Sequence, residues 1–137
     1  MIKIHHVGVA VTSIEETLDF HTRILGMKQY SNIIDDKILK VRVVLLAIKD
    51  QPAESCLLEL VEPLESPSPI DNILKQNNRL YHYCVEVRSL KGALKNAREN
   101  HAVIALRPTP SALFNGRRIA FIWTPAHYLI EFLEKNG

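Results

Sequence analysis

The 137-residue sequence predicts an α+β fold made of two tandem βαβββ modules. Three observations predict it. Sliding the chain by 76 positions lays His6-Val7-Gly8-Val9-Ala10-Val11-Thr12-Ser13-Ile14 on His82-Tyr83-Cys84-Val85-Glu86-Val87-Arg88-Ser89-Leu90, matching the histidine, two valines, the serine and an aliphatic residue. Sliding by 72 lays Leu58-Glu59-Leu60-Val61-Glu62 on Ile130-Glu131-Phe132-Leu133-Glu134 with both glutamates in register. Between these landmarks each half passes from a β-rich run to a helical pattern and back to β. Each half therefore opens on a histidine-bearing strand and closes on a glutamate-bearing strand, 53 residues apart in the first copy and 49 in the second.

The first strand covers the start of the chain through Val11. Ser13 is an N-cap with Glu15 and Glu16 in the first turn, and Ile14, Leu18, Phe20, Ile24 and Leu25 form the apolar stripe of a helix that stops at Gly26. Residues 27–34 and 38–48 read as strands from their Ile and Val content, with Asp35-Asp36 as the turn between them, and 54–62 is a strand ended by Pro63. A Pro- and Ser-rich linker leads to a short helix near 70–77. The second copy repeats the order as strand 79–87, helix 89–100 with Leu90, Ala93, Leu94 and Ala97 as its stripe, then strands 102–107, 117–123 and 128–134. Module one is thus 1–63, the linker and short helix 64–78, and module two 79–137, within one domain. A half of this size is marginal alone, so the two are expected to share a core.

Composition narrows the function classes. With 47% hydrophobic and 23% charged residues the chain is neither disordered nor collagen-like. Seventeen Lys and Arg against 15 Asp and Glu leave a charge of +2, a small excess with no concentrated basic face expected, so nucleic acid is not an expected partner. The longest uncharged apolar run, Val43–Ile48, is far below the roughly 18 residues that cross a bilayer, so no membrane contact is expected. Histidines and a lysine fall where the apolar core of a signal peptide would lie, which points to a cytoplasmic protein. Cys56 and Cys84 lack metal-type spacing and are expected to be reduced and buried.

Strand parity then selects a constellation. Val7, Val9 and Val11 share one face of the first strand and leave His6 on the other, with His5 on the valine face. Glu59 lies opposite Leu58 and Leu60, His82 opposite Tyr83, Val85 and Val87, and Glu131 opposite Ile130 and Phe132. A single strand His or Glu is ordinarily a surface or edge residue. Here the same pair recurs in equivalent places of two modules, so two imidazoles and two carboxylates converge on one face. That set of two nitrogens and two oxygens suits a divalent Ni, Co, Zn, Mn or Fe ion and leaves two octahedral positions for water or a chelating substrate.

These motifs resemble the vicinal oxygen chelate superfamily, which includes glyoxalase I, methylmalonyl-CoA epimerase, extradiol dioxygenases and bleomycin-resistance proteins. The carrying residues are Ile4–Val11, Phe20–Met27, Leu58–Pro63, Tyr81–Val87 and Thr124–Glu134, spread over nearly the whole chain. The resemblance implies paired βαβββ modules in a glyoxalase-type cupped sheet around a metal cleft, with His6, Glu59, His82 and Glu131 at the family's ligand positions. The methylmalonyl-CoA epimerase branch is nearest, through Glu59-Leu60-Val61-Glu62-Pro63-Leu64, Ser68-Pro69-Ile70 and His82–Val87. The chain departs from that branch at His21, at the loop Trp123–Tyr128, and at Ile38, which stands where an epimerase carries its second acid; Asp35 and Asp36 are the neighbouring carboxylates.

The chemistry implied is removal of a proton α to a thioester or carbonyl through a metal-stabilised enolate, with Glu131 as the base and Glu59 as the second catalytic carboxylate. Return of the proton to the opposite face gives epimerisation. Return to the adjacent carbon gives a glyoxalase I-like lactoylglutathione lyase, the alternative enzyme. A non-catalytic small-molecule binding or resistance protein using the same cleft is the alternative from another class. The substrate is a small molecule such as an acyl-CoA or glutathione thioester. Asn115 and Arg118, in Asn115-Gly116-Arg117-Arg118, either bind its anionic group or form a hairpin turn with flanking arginines. A homodimer is expected, with the site formed within one chain or across two.

Overall fold

The computed structural model describes residues 3–52 and 55–136. The chain groups into two units, His6–Tyr81, and Met1–His5 together with His82–Gly137. Both units have mixed sheets with few helices, the α+β class expected.

In the first unit β1 (Ile4–Ala10), which enters it at His6, is followed by α1 (Ile14–Arg23), β2 (Met27–Gln29), β3 (Ile34–Asp36), β4 (Val41–Ile48), β5 (Leu57–Pro63) and α2 (Asp71–Leu74). β1 pairs with β5 in parallel, β5 with β4 antiparallel, and β4 with both β2 and β3 antiparallel. Ser13 caps α1 by accepting the Glu16 N–H at 3.2 Å. Ile14 is fully buried with Val11, Val44, Leu46 and Leu60, so the helix covers the face carrying Val9, Leu58 and Leu60.

Three expectations for this unit are corrected. Asp35-Asp36 is not a turn: it belongs to β3, and the turn falls at 37–40, where Lys40 adopts a φ of 60°. The strand expected over 27–34 is two short strands, because the Ser31 hydroxyl accepts the Leu45 N–H at 2.9 Å and so occupies a ladder position between them. The helical stripe is narrower than expected, since Phe20, Ile24 and Leu25 are about half exposed. Phe20 lies about 120° around the helix from Ile14 at 100° per residue, and α1 stops before Ile24. Gly26 follows at a φ of 68°, a conformation suited to glycine at a helix stop.

The second unit contains β6 (Leu80–Val87), which enters it at His82, then α3 (Leu90–Glu99), β7 (Val103–Pro110), β8 (Arg118–Trp123) and β9 (Leu129–Glu134). β6 pairs with β9 in parallel, and β8 lies antiparallel between β9 and β7. Leu90 and Leu94 of α3 pack on Val85, Val87, Ala120, Ile122 and Phe132. β7 runs three residues further than expected, through Pro108 and Pro110; among the described residues it pairs only with β8, with register shifts on both sides of Leu106, and such an edge strand tolerates a proline without an N–H. Lys3 and His5 belong to this unit: Lys3 Nζ lies 3.7 Å from Glu86, and the His5 ring meets Phe114 edge-on at 5.2 Å.

Among the described residues no helix is long and apolar enough to cross a membrane. Cys84 is buried as expected, but Cys56 is exposed, lying just before β5 rather than inside it.

Candidate functional site

Each unit holds one histidine–glutamate pair, and the two pairs are built identically. In the first unit β1 and β5 run parallel with Gly8 opposite Glu59, so the glutamate lies two residues beyond His6 on the same face. His6 Nε2 and Glu59 Oε1 are 3.6 Å apart, with side-chain exposures of 0% and 8%. In the second unit Cys84 lies opposite Glu131, again two residues beyond the histidine, and His82 Nε2 and Glu131 Oε1 are 3.3 Å apart at exposures of 1% and 4%. Phe121, directly across from Glu131, meets the His82 ring edge-on at 5.3 Å.

The donor chemistry fits a divalent cation. Nitrogen and oxygen ligands about 2.1 Å from one ion and at right angles to each other stand roughly 3 Å apart, close to both pairs. Burying a carboxylate with an imidazole is costly unless a charge balances it, and a cation supplies that balance. The ring of His5, the neighbouring histidine, meets Phe114 edge-on.

The carboxylates near the expected second acid divide by face. Asp35 pairs across β3 and β4 with Arg42 and lies 3.5 Å from its Nε, on the helix side. Asp36 is 3% exposed and lies across from Val41, hence on the face of Leu45 and Glu59. Its Oδ1 accepts the N–H groups of Ile38 and Leu39 at 3.1 and 2.9 Å. Ile38 itself is 63% exposed in the turn.

Asn115 and Arg118 have local partners. Asn115 sits in a tight turn at a φ of 56°, its N–H donating to Ala112, while Arg118 forks onto Glu134 Oε1 at 2.9 and 3.2 Å.

One duplicated device was not anticipated. Glu62 accepts the Ile14 N–H at 2.9 Å and binds Arg42 at 3.1 Å. Glu134 accepts the Leu90 N–H at 2.9 Å and binds Arg118. Each closing strand thus caps its unit's helix with a carboxylate three residues past the buried glutamate, satisfying an N–H that the helix cannot. The Leu90 N–H first, and Arg118 second, hold the Glu134 carboxyl below the usual range. Arg42 likewise lowers Glu15, which it binds at 3.0 Å. The sequence signal was present in the Glu62–Glu134 register of the repeat.

Comparison with known proteins completes the description. The sequence model of the Glyoxalase/Bleomycin resistance protein/Dioxygenase superfamily matches residues 5–121. The mitochondrial methylmalonyl-CoA epimerase of Dictyostelium discoideum is 27% identical over 139 residues, covering 97% of this chain and 78% of that protein. The uncharacterized protein YqjC of Bacillus subtilis (strain 168) is 30% identical over 142 residues, covering 100% and 95%. The crystal structure of methylmalonyl-CoA epimerase from Mycobacterium tuberculosis shares the fold with a TM-score of 0.82 at 22% identity, over 98% of this chain and 88% of that one. With its duplicated histidine–glutamate strands and a family match over most of its length, the chain belongs to the glyoxalase/bleomycin resistance protein/dioxygenase superfamily.

Proposed function

We propose that the chain is a metal-dependent isomerase that epimerises the carbon α to an acyl-CoA thioester, as the names of its epimerase relatives suggest. His6, Glu59, His82 and Glu131 are the metal ligands, and modules one and two form a single domain around them. The observation that carries this reading is the repeated register, Gly8 opposite Glu59 and Cys84 opposite Glu131, which repeats one buried nitrogen–oxygen pair.

When bound, the cation supplies Lewis acidity that draws charge from the thioester carbonyl and makes the neighbouring C–H more acidic. Glu131 takes the α-proton. Its burial keeps water from the carboxylate that must accept it. Epimerisation requires the proton to return on the opposite face. Glu59 and Asp36, the buried carboxylates that share one face of the first unit's sheet, are the candidates for that step. Asp36→Asn keeps an oxygen for the Ile38 and Leu39 N–H groups while removing the acid, so it separates the two roles.

The test is metal analysis of the purified protein followed by incubation with methylmalonyl-CoA in deuterated water. Deuterium at the α-carbon with interconversion of the epimers is expected. Tight ligand binding without exchange would instead make the chain a binding protein, and turnover of a glutathione hemithioacetal would make it a lactoylglutathione lyase.

A further inference from the structure

The net charge of +2 hides a local concentration. On the helix side of the second unit a groove of about 740 Å³ runs between α3 and β7, lined by Lys91, Arg98, Arg107 and Arg118 and by no acidic residue. This corrects the expectation that no basic face exists. The four cations are separated along the chain and meet only after α3 and the following strands pack together.

Their placement is specific. Lys91 and Arg98 are seven residues apart on α3, two turns, so they lie on one stripe about 10 Å apart. Arg107 faces them from β7 and Arg118 from β8. Arg118 is neutralised by Glu134, but among the described residues Lys91, Arg98 and Arg107 form no ion pair. Three like charges around one groove repel one another unless an anion occupies it. The remaining wall is apolar, from Leu94, Ala102, Ile104 and Pro108. The volume is that of a small-molecule site.

We propose that this groove binds a nucleoside diphosphate, its phosphates between Lys91, Arg98 and Arg107 and its base against Ile104 and Pro108. Attachment points about 10 Å apart along α3 let two long side chains close on linked phosphates, and guanidinium groups match phosphate oxygens in pairs. The same diphosphate could be carried free or within coenzyme A, and the two sources share this chemistry. The groove is on the face of Ile104 and Ile122, opposite the face of Glu131, because Ile122 pairs with Ile130 while Phe121 pairs with Glu131. It therefore does not depend on the isomerase reading.

The experiment is calorimetric titration of the full chain with ADP, coenzyme A and inorganic pyrophosphate, at low and at physiological salt, alongside the variant Arg98→Ala/Arg107→Ala. Both arginines are exposed, so circular dichroism should show the variant folded, and its metal content should match the parent's. ADP binding that weakens with salt and falls at least about tenfold in the variant is expected. Coenzyme A binding that is tighter than ADP and is lost in the same variant would assign the bound source to the coenzyme, and ADP binding lost in the variant while coenzyme A binding is unchanged would assign it to a free nucleotide. No ADP binding at millimolar concentration, or binding unchanged in the variant, overturns the site. Pyrophosphate binding as tightly as ADP overturns the role of the base.

Discussion

His82 and Glu131 place Nε2 and Oε1 3.3 Å apart across two parallel strands, the glutamate lying opposite Cys84 and so two residues past the histidine. Glu59 repeats that step relative to His6. Two residues is one full pleat, so the offset keeps both side chains on one face and lets the longer glutamate reach back along the strand. The geometry follows from strand register alone, so any variant that preserves register tests the chemistry without disturbing the frame.

Glu131→Gln has nearly the same volume and lacks the charge. Replacing it, or His82→Ala, should lower divalent-metal affinity by at least about tenfold, since even outer-shell partners of a metal site contribute 10 to 100-fold. Metal per chain after dialysis, by mass spectrometry, measures it. His6→Ala and Glu59→Gln should behave alike, and unequal losses would argue against equivalent roles.

Chelation should destabilise the chain. A ligand that binds the folded state at 100 times its dissociation constant contributes about 2.7 kcal/mol, so removing a resident cation should lower the melting temperature by several degrees, and restoring it should reverse the change. Scanning calorimetry with and without EDTA reads this directly.

Glu134 predicts an acid limb. Its folded-state carboxyl titrates below the ordinary value because the Leu90 N–H and Arg118 bind its charged form. A depressed acid contributes stability that is present above the unfolded pKa of about 4.3 and is lost as pH falls through the folded value. Urea midpoints measured from pH 7 down to pH 3 should therefore fall less steeply in Glu134→Gln than in the parent. Glu134→Ala, which also removes the cap, should cost about 1 kcal/mol at neutral pH.

Gly26→Ala tests the end of α1. Beyond its two chain neighbours, nothing lies within 4 Å of an added Cβ, so the expected cost of about 1 kcal/mol comes from the φ of 68° rather than from a clash. Denaturant unfolding measures it.

What could be read from the residues was whatever repeats with a fixed period. Alternation put His6, Glu59, His82 and Glu131 opposite the apolar positions of their strands, and the structure has Val9, Leu58, Val85 and Phe132 on the helix-facing side. What could not be read depended on single side chains replacing backbone bonds or on packing between distant segments. The break between β2 and β3 rests on one hydroxyl, that of Ser31. The helix caps from Glu62 and Glu134 span 48 and 44 residues, beyond any local capping rule. The basic groove collects residues from 91 to 118 on three elements. Phe20 and Ile24 count as apolar in any pattern, yet helical angle and the stop before Ile24 leave them at the surface.

Glu86 and Val87 are neighbours on β6, and the chain reaches them from both directions: Lys3 lies 3.7 Å from the Glu86 carboxylate, while the Lys135 N–H donates to Val87 at 2.8 Å. Segments from the two extremes of the sequence thus flank one dipeptide. A circular permutant joined by a short flexible bridge from beyond Lys135 to before Lys3, and opened within the exposed stretch Lys75–Asn78, would keep every strand pairing described above while exchanging the order of the two histidine–glutamate pairs along the chain.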